Sequence, residues 1–271
     1  MTLDSRMSLD SLTAACQAVE AIPDTQRVAD LRAHVRAAMG KPLVQWACPP
    51  RIDADFMGEP LAVRKARAIA LKLSAMPDDL WQGQLFAGSM TLEEPRVHAE
   101  WGFPDYLTEA EKAEAARHGW GIHCFGHIVP DYPSLLAKGL NGIRADAEAQ
   151  RPLASTPDER AFLDSVVIAL DAVSAFALRL AARCDAESRT ADAARTAELL
   201  QMAANLRQSP AGPARTFHQA LQSVWLLHMI FHSTMNGNAM GRLEFVNGSD
   251  EKDRPTASAR GIFLDNRARC W

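Results

Sequence analysis

Apolar residues recur at three- and four-residue steps along much of the chain, and each such run predicts a helix. From Thr25 to Met39 the positions Val28, Leu31, Val35 and Met39 share one face, with Arg and Asp between them and Gly40 and Pro42 as stops. Pro60 opens LAVRKARAIALKL, where Leu61, Arg64/Lys65, Ala68 and Leu71/Lys72 separate into an apolar and a basic face. A proline suits the first turn because its missing N–H would be unpaired there, and Pro77 predicts the end. The stretch LWQGQLFAGSM breaks the pattern: short, aromatic and glycine-punctuated, it predicts an extended segment or short strand.

Helical periodicity then returns. Thr108 to Arg117 predicts a solvated helix with a capping box between Thr108 and Glu111, and SLLAKGLNGIRADAEAQ a helix with Gly139 and Gly142 inside it. Thr156 to Ala186 is the longest regular segment, with Thr156 as N-cap, Pro157 in the first turn and Asp158 and Glu159 facing the positive end of the dipole. Phe162, Val166, Ala169, Val173, Phe176 and Leu180 are among apolar positions that fill most of its circumference, which predicts burial on more than one side. A helix over Thr190 to Leu206 should pack antiparallel to it. Pro210 and Pro213 precede a last apolar helix, ARTFHQALQSVWLLHMIFH. Beyond Phe245 the chain is polar and turn-rich, and poor order is expected there.

Composition sets the class. With 48% hydrophobic and 23% charged residues over 271, a substantial core is accessible. A net charge of −4 supplies no general field for nucleic acid or an acidic membrane surface. Five scattered cysteines, Cys16, Cys48, Cys124, Cys184 and Cys270, and a start without signal-peptide features suit reduced thiols in a cytoplasm. No stretch approaches the ~20 consecutive apolar residues of a membrane span.

Candidate chemistry centres on HCFGH, where His123, Cys124 and His127 fall within five positions. Zinc takes thiolate and imidazole at such spacings but needs three or four ligands, and His98, His118, Cys48 and the later histidines form no second paired motif. The cluster reads as a structural loop or a pocket wall, with a metal as the open alternative. Cys124 is either a nucleophile activated by a neighbouring histidine or a buried, inert thiol. In the last helix His218, Gln222 and Trp225 share a face, while His228 and His232, four apart, lack the glutamate of a hydrolytic HExxH motif. NGNAMGR, residues 236–242, is no Walker loop. It is either a plain turn or a loop facing a polar substrate.

Four segments in order resemble glycyl radical enzymes of the pyruvate formate-lyase type. They are GEPLAVRKARAIALKLSAMPDDLWQGQLFAGSM, FGHIVPDYPSLLAKGLNGI, PARTFHQALQSVWLLH and NGNAMGRL, and the resemblance runs over about residues 25–245. It implies a division into a flexible segment 1–24, the N-terminal part of the family domain over 25–245, and an atypical polar tail 246–271. It implies a mainly α chain with a few short strands, the incomplete N-terminal part of a ten-stranded α/β barrel.

The resemblance also implies a chemistry. A separate radical-SAM activase installs a radical on a backbone glycine, a cysteine thiyl takes it over, and a C–C, C–O or related bond of a small polar substrate is cleaved. No cofactor is bound directly. The family's later part carries both radical residues, and this sequence has no matching glycine motif or cysteine loop, so the chain is expected to be an N-terminal portion ended by truncation or frameshift and inactive alone. A subunit of a split enzyme and a non-catalytic helical binding module are the alternatives. His127, Asn236 and Asn238 are the implied substrate-binding positions, with no catalytic and no metal-binding residue assigned. The partners implied are a small-molecule substrate, an activase or complementary C-terminal chain, and a second copy through exposed apolar surface; nucleic acid and membrane are not expected.

Overall fold

The computed structural model describes residues 25–39, 48–88, 103–120 and 130–234. Among them run helices α1 (Gln26–Met39), α2 (Leu61–Ala75), α3 (Glu109–His118), α4 (Tyr132–Gln150), α5 (Pro157–Ser188), α6 (Ala193–Gln208) and α7 (Phe217–Thr234), with short 3-10 turns at Ala54–Phe56 and Arg151–Leu153. The chain divides into two compact units, Met1–Lys41 with Asn247–Trp271 and Pro42–Val246. In the first, α1 opens where Thr25 Oγ1 accepts the Val28 N–H. The polar tail lies outside the described residues.

In the second unit α2 starts one residue after Pro60, which is its N-cap, and stops at Ala75. Met76 is extended (ψ 135°), the conformation that Pro77 imposes on the residue before it. The expected basic face is not a solvated one: Arg64 and Lys72 are both buried. A buried guanidinium needs partners for its donors. Arg64 Nη1 and Nη2 meet Glu111 Oε2 and Oε1 at 2.9 and 2.5 Å, Nε donates to the Glu59 carbonyl at 2.9 Å, and Nη1 also reaches the Tyr106 carbonyl. Lys72 Nζ lies 5.7 Å from the centroid of the Phe103 ring.

Glu111 also completes the capping box of α3, since Thr108 Oγ1 accepts the Glu111 N–H at 3.2 Å while Glu111 Oε2 accepts the Thr108 N–H at 2.8 Å. One carboxylate thus starts a helix and neutralises a buried cation. Gly119 ends α3 with a left-handed φ of 64°.

The helix expected across Gly139 is broken there. Gly139 has φ 67° and ψ 174°, and the 210–214 segment enters the gap: Leu140 and Asn141 N–H groups bond to Pro210 and Ala211 carbonyls at 2.8 and 2.9 Å, and Ala214 N–H to the Leu136 carbonyl at 2.9 Å. A Cβ built on Gly139 would stand 2.3 Å from Gly212 C, so glycine is needed both for the φ and for the backbone approach.

The predicted N-cap Thr156 and first-turn Pro157 of α5 are present, and Glu159, expected only to face the dipole, also closes a capping box with Thr156. Its C-terminal half enters the core: Val173, Phe176, Ala177, Leu180, Ala181 and Cys184 are buried and cluster with Leu199, Met202, Ala203 and Leu206 of α6 and Val224, Leu226 and Met229 of α7. The N-terminal half differs from expectation. Phe162, on the same stripe, is 60% exposed. By length and composition α5 could cross a membrane, yet Asp164 and Asp171 on it pair with Arg151 and Arg144.

No strand occurs among the described residues, whose sole β-bridge joins Arg51 to Asp105. Residues 80–88, predicted extended or a short strand, form turns and irregular chain instead. Side chains take several of their carbonyls in place of a partner strand: Arg195 donates to the Gln84 and Trp81 carbonyls at 2.7 and 3.5 Å, and α7 reaches those of Leu85, Ala87 and Gly88.

Candidate functional site

His127, Asn236 and Asn238, the implied substrate-binding positions, lie outside the described residues, as do HCFGH and NGNAMGR. What the structure describes is the framework from which these segments depart. Residues 121–129 lead into the first turn of α4, and residues from 235 onward follow the last turn of α7.

Helix α7 starts where Thr216 Oγ1 accepts the Gln219 N–H at 3.2 Å and Gln219 Oε1 accepts the Arg215 N–H at 2.8 Å. Its buried side, Val224, Leu226, Met229 and Ile230, fixes the rotation of the helix. That rotation turns the face predicted from the spacing of His218, Gln222 and Trp225 onto residues 85–88. His218 Nε2 donates to the Leu85 carbonyl at 2.9 Å. Gln222 accepts the Ala87 N–H at 2.8 Å and donates to the Ala87 carbonyl at 3.0 Å. Trp225 Nε1 donates to the Gly88 carbonyl at 3.0 Å. The His218 ring stands edge-on to Phe86, with centroids 4.8 Å apart. Steps of four and three along the helix thus reach the carbonyls of Leu85, Ala87 and Gly88 in an irregular strap, and Gly88 takes φ 104° where a Cβ would come within 2.9 Å of Met229 Cε.

These contacts position rather than react. The described thiols are also poor nucleophiles. Burial pushes the Cys184 thiol up to about 12, with Glu187 adding to the rise, and burial raises that of Cys48 against the opposing charge of Lys72. Cys184 is fully enclosed in the α5–α6 core. Burial likewise pushes the Tyr132 hydroxyl up to about 12. Beside it Asp131 caps α4 by accepting the Ser134 N–H at 3.1 Å, and Ser134 holds its carboxyl below the usual range. Among the described residues no group of three or more His, Cys, Asp or Glu side chains could hold a metal. His118 bonds to Glu114 at 2.8 Å and stacks on Trp120, while His228 faces Trp225 at 6.5 Å between centroids.

Sequence reasoning found the shared face of His218, Gln222 and Trp225 but not what it touches. Its signal was the polar and indole N–H groups left at helical spacing on an otherwise apolar helix. It did not single out Arg64 or Tyr132, and no local pattern marks either as buried.

The family model described as pyruvate formate lyase-like matches residues 94–245. An isethionate sulfite-lyase of Desulfovibrio desulfuricans is 41% identical over 109 residues, covering 37% of this chain and 13% of that protein. A (2S)-3-sulfopropanediol dehydratase of Klebsiella oxytoca is 30% identical over 127 residues, covering 44% of this chain and 15% of that protein. The glycerol-bound B12-independent glycerol dehydratase of Clostridium butyricum superposes with a TM-score of 0.68 at 21% identity, over 88% of this chain and 38% of that one. The last likeness is one of fold. The matched part of this chain spans a small fraction of the curated relatives, 13% and 15% of their length.

Proposed function

The chain belongs to the pyruvate formate lyase-like family, and from that membership we propose that it forms the helical frame of a glycyl radical lyase or dehydratase acting on a small hydroxylated compound. The observation that carries this reading is the family match over 94–245 together with 41% identity to an isethionate sulfite-lyase. Isethionate, 3-sulfopropanediol and glycerol, named for the relatives above, share a hydroxyl-bearing carbon skeleton of two or three atoms. Abstraction of a hydrogen atom from the hydroxyl-bearing carbon by a thiyl radical forms S–H and leaves a carbon radical. That radical weakens the bond from the adjacent carbon to its leaving group, which links sulfite loss and water loss as one kind of elimination. In this reading His127, Asn236 and Asn238 line the substrate side, and strap 85–88 with α7 forms its rigid backing.

The 271 residues are not sufficient for turnover in this reading: a radical glycine, a thiyl cysteine and a radical-SAM activase are supplied from outside them. Of the two cysteines among the described residues, Cys184 is enclosed in the helix core and cannot meet a substrate. The test is incubation of the purified chain with an activase under anaerobic conditions. Electron paramagnetic resonance should show no glycyl radical doublet, and a doublet from this chain alone would overturn the assignment.

One observation favours a second reading, a subunit of a split radical enzyme. Leu153 and Phe162 are 72% and 60% exposed on one half of α5 and the turn before it, apolar surface that suits a partner chain. Sedimentation that shows only a monomer, alone and with the complementary segment of a relative, would exclude it.

A further inference from the structure

We draw no further inference here: the strongest candidate, the exposed apolar surface of Leu153 and Phe162 along the N-terminal half of α5 and the turn before it, is the one on which the split-enzyme reading already rests, and nothing in the structure shows what covers it.

Discussion

Gln222 pairs with Ala87 as one strand residue pairs with another, its side-chain amide accepting the Ala87 N–H and donating to the Ala87 carbonyl within a fully buried site. Removing the amide therefore strands two backbone groups at once. Gln222→Leu should cost about 2–4 kcal/mol, read as a lower urea midpoint with an unchanged slope. Gln222→Glu is the more informative variant. When protonated, the introduced carboxyl can still donate and accept; when ionised, it turns a charge on the Ala87 carbonyl. Its folded pKa lies above the ordinary ~4.3, so the variant is most stable below that value and loses stability as pH rises through the raised one. A variant as stable as the parent at neutral pH would remove the pairing from the account.

Glu111 predicts the opposite pH dependence. Hydrogen bonds from Arg64, then from Thr108, pull its carboxyl down from 4.5 to about 2. A depressed folded pKa contributes stability that is complete above the ordinary value and is lost as pH falls from about 4.5 towards 2. One third of the carboxylate is exposed, so solvent screening reduces the contribution to about 1–2 kcal/mol. Glu111→Gln should flatten the acid limb of the stability curve by that amount. Arg64→Met, which removes the buried charge along with the pair, should cost less than Glu111→Ala, which leaves the charge behind. The reverse order, measured by denaturant unfolding at pH 7, would show that the ion pair does not control this joint.

At Gly139 the backbone itself is the constraint. Gly139→Ala needs a left-handed φ of 67° and puts a methyl 2.3 Å from Gly212 C, where no flexible side chain can yield. The strap at 210–214 must then leave the gap in α4, with loss of about 3 kcal/mol or more. Gly58→Ala is the control: nothing lies within 4 Å of a Cβ built there. Equal midpoints for the two variants would show that the insertion is not rigid.

Local physics explains what could be read in the sequence. Thr108 with Glu111, and Thr156 followed by Pro157, announce themselves within four residues, and both helix starts lie where the sequence put them. The break at Gly139 is different, because its cause is a segment about 70 residues later that no periodicity can report. Arg64 looks like part of a solvated face for the same reason, since its partners Glu111 and Tyr106 are over 40 positions away. Residues 80–88 resembled a strand because they are aromatic and glycine-punctuated, yet they form turns, and side chains of Arg195, His218, Gln222 and Trp225 take carbonyls that a neighbouring strand would have used. At the site, the common face of α7 was legible and its target was not, and the three implied substrate positions lie outside the described residues.

The stripe on α5 gives the last prediction. Phe162, Val166, Ala169, Val173, Phe176 and Leu180 follow one another at steps of four and three and so share one face. Sequence treats them alike, but the structure does not. Helix α6 is 16 residues against 32 for α5, so at the same rise per residue it covers only part of that face. Phe176 is 1% exposed and Phe162 60%. Phe176→Ala should cost about 3–5 kcal/mol, since a ring-sized cavity opens in the buried cluster around it. Phe162→Ala should stay within about 0.5 kcal/mol in dilute solution, because no packed neighbours are lost. Phe162→Glu separates stability from association. It should leave the unfolding midpoint of the isolated chain in place while lowering its sedimentation coefficient at high concentration, if the open half of the stripe is where the chain meets a partner. A midpoint that falls with Phe162→Glu as far as with Phe176→Ala would mean that the N-terminal half of α5 is packed in solution, and that its exposure is not a property of the folded chain.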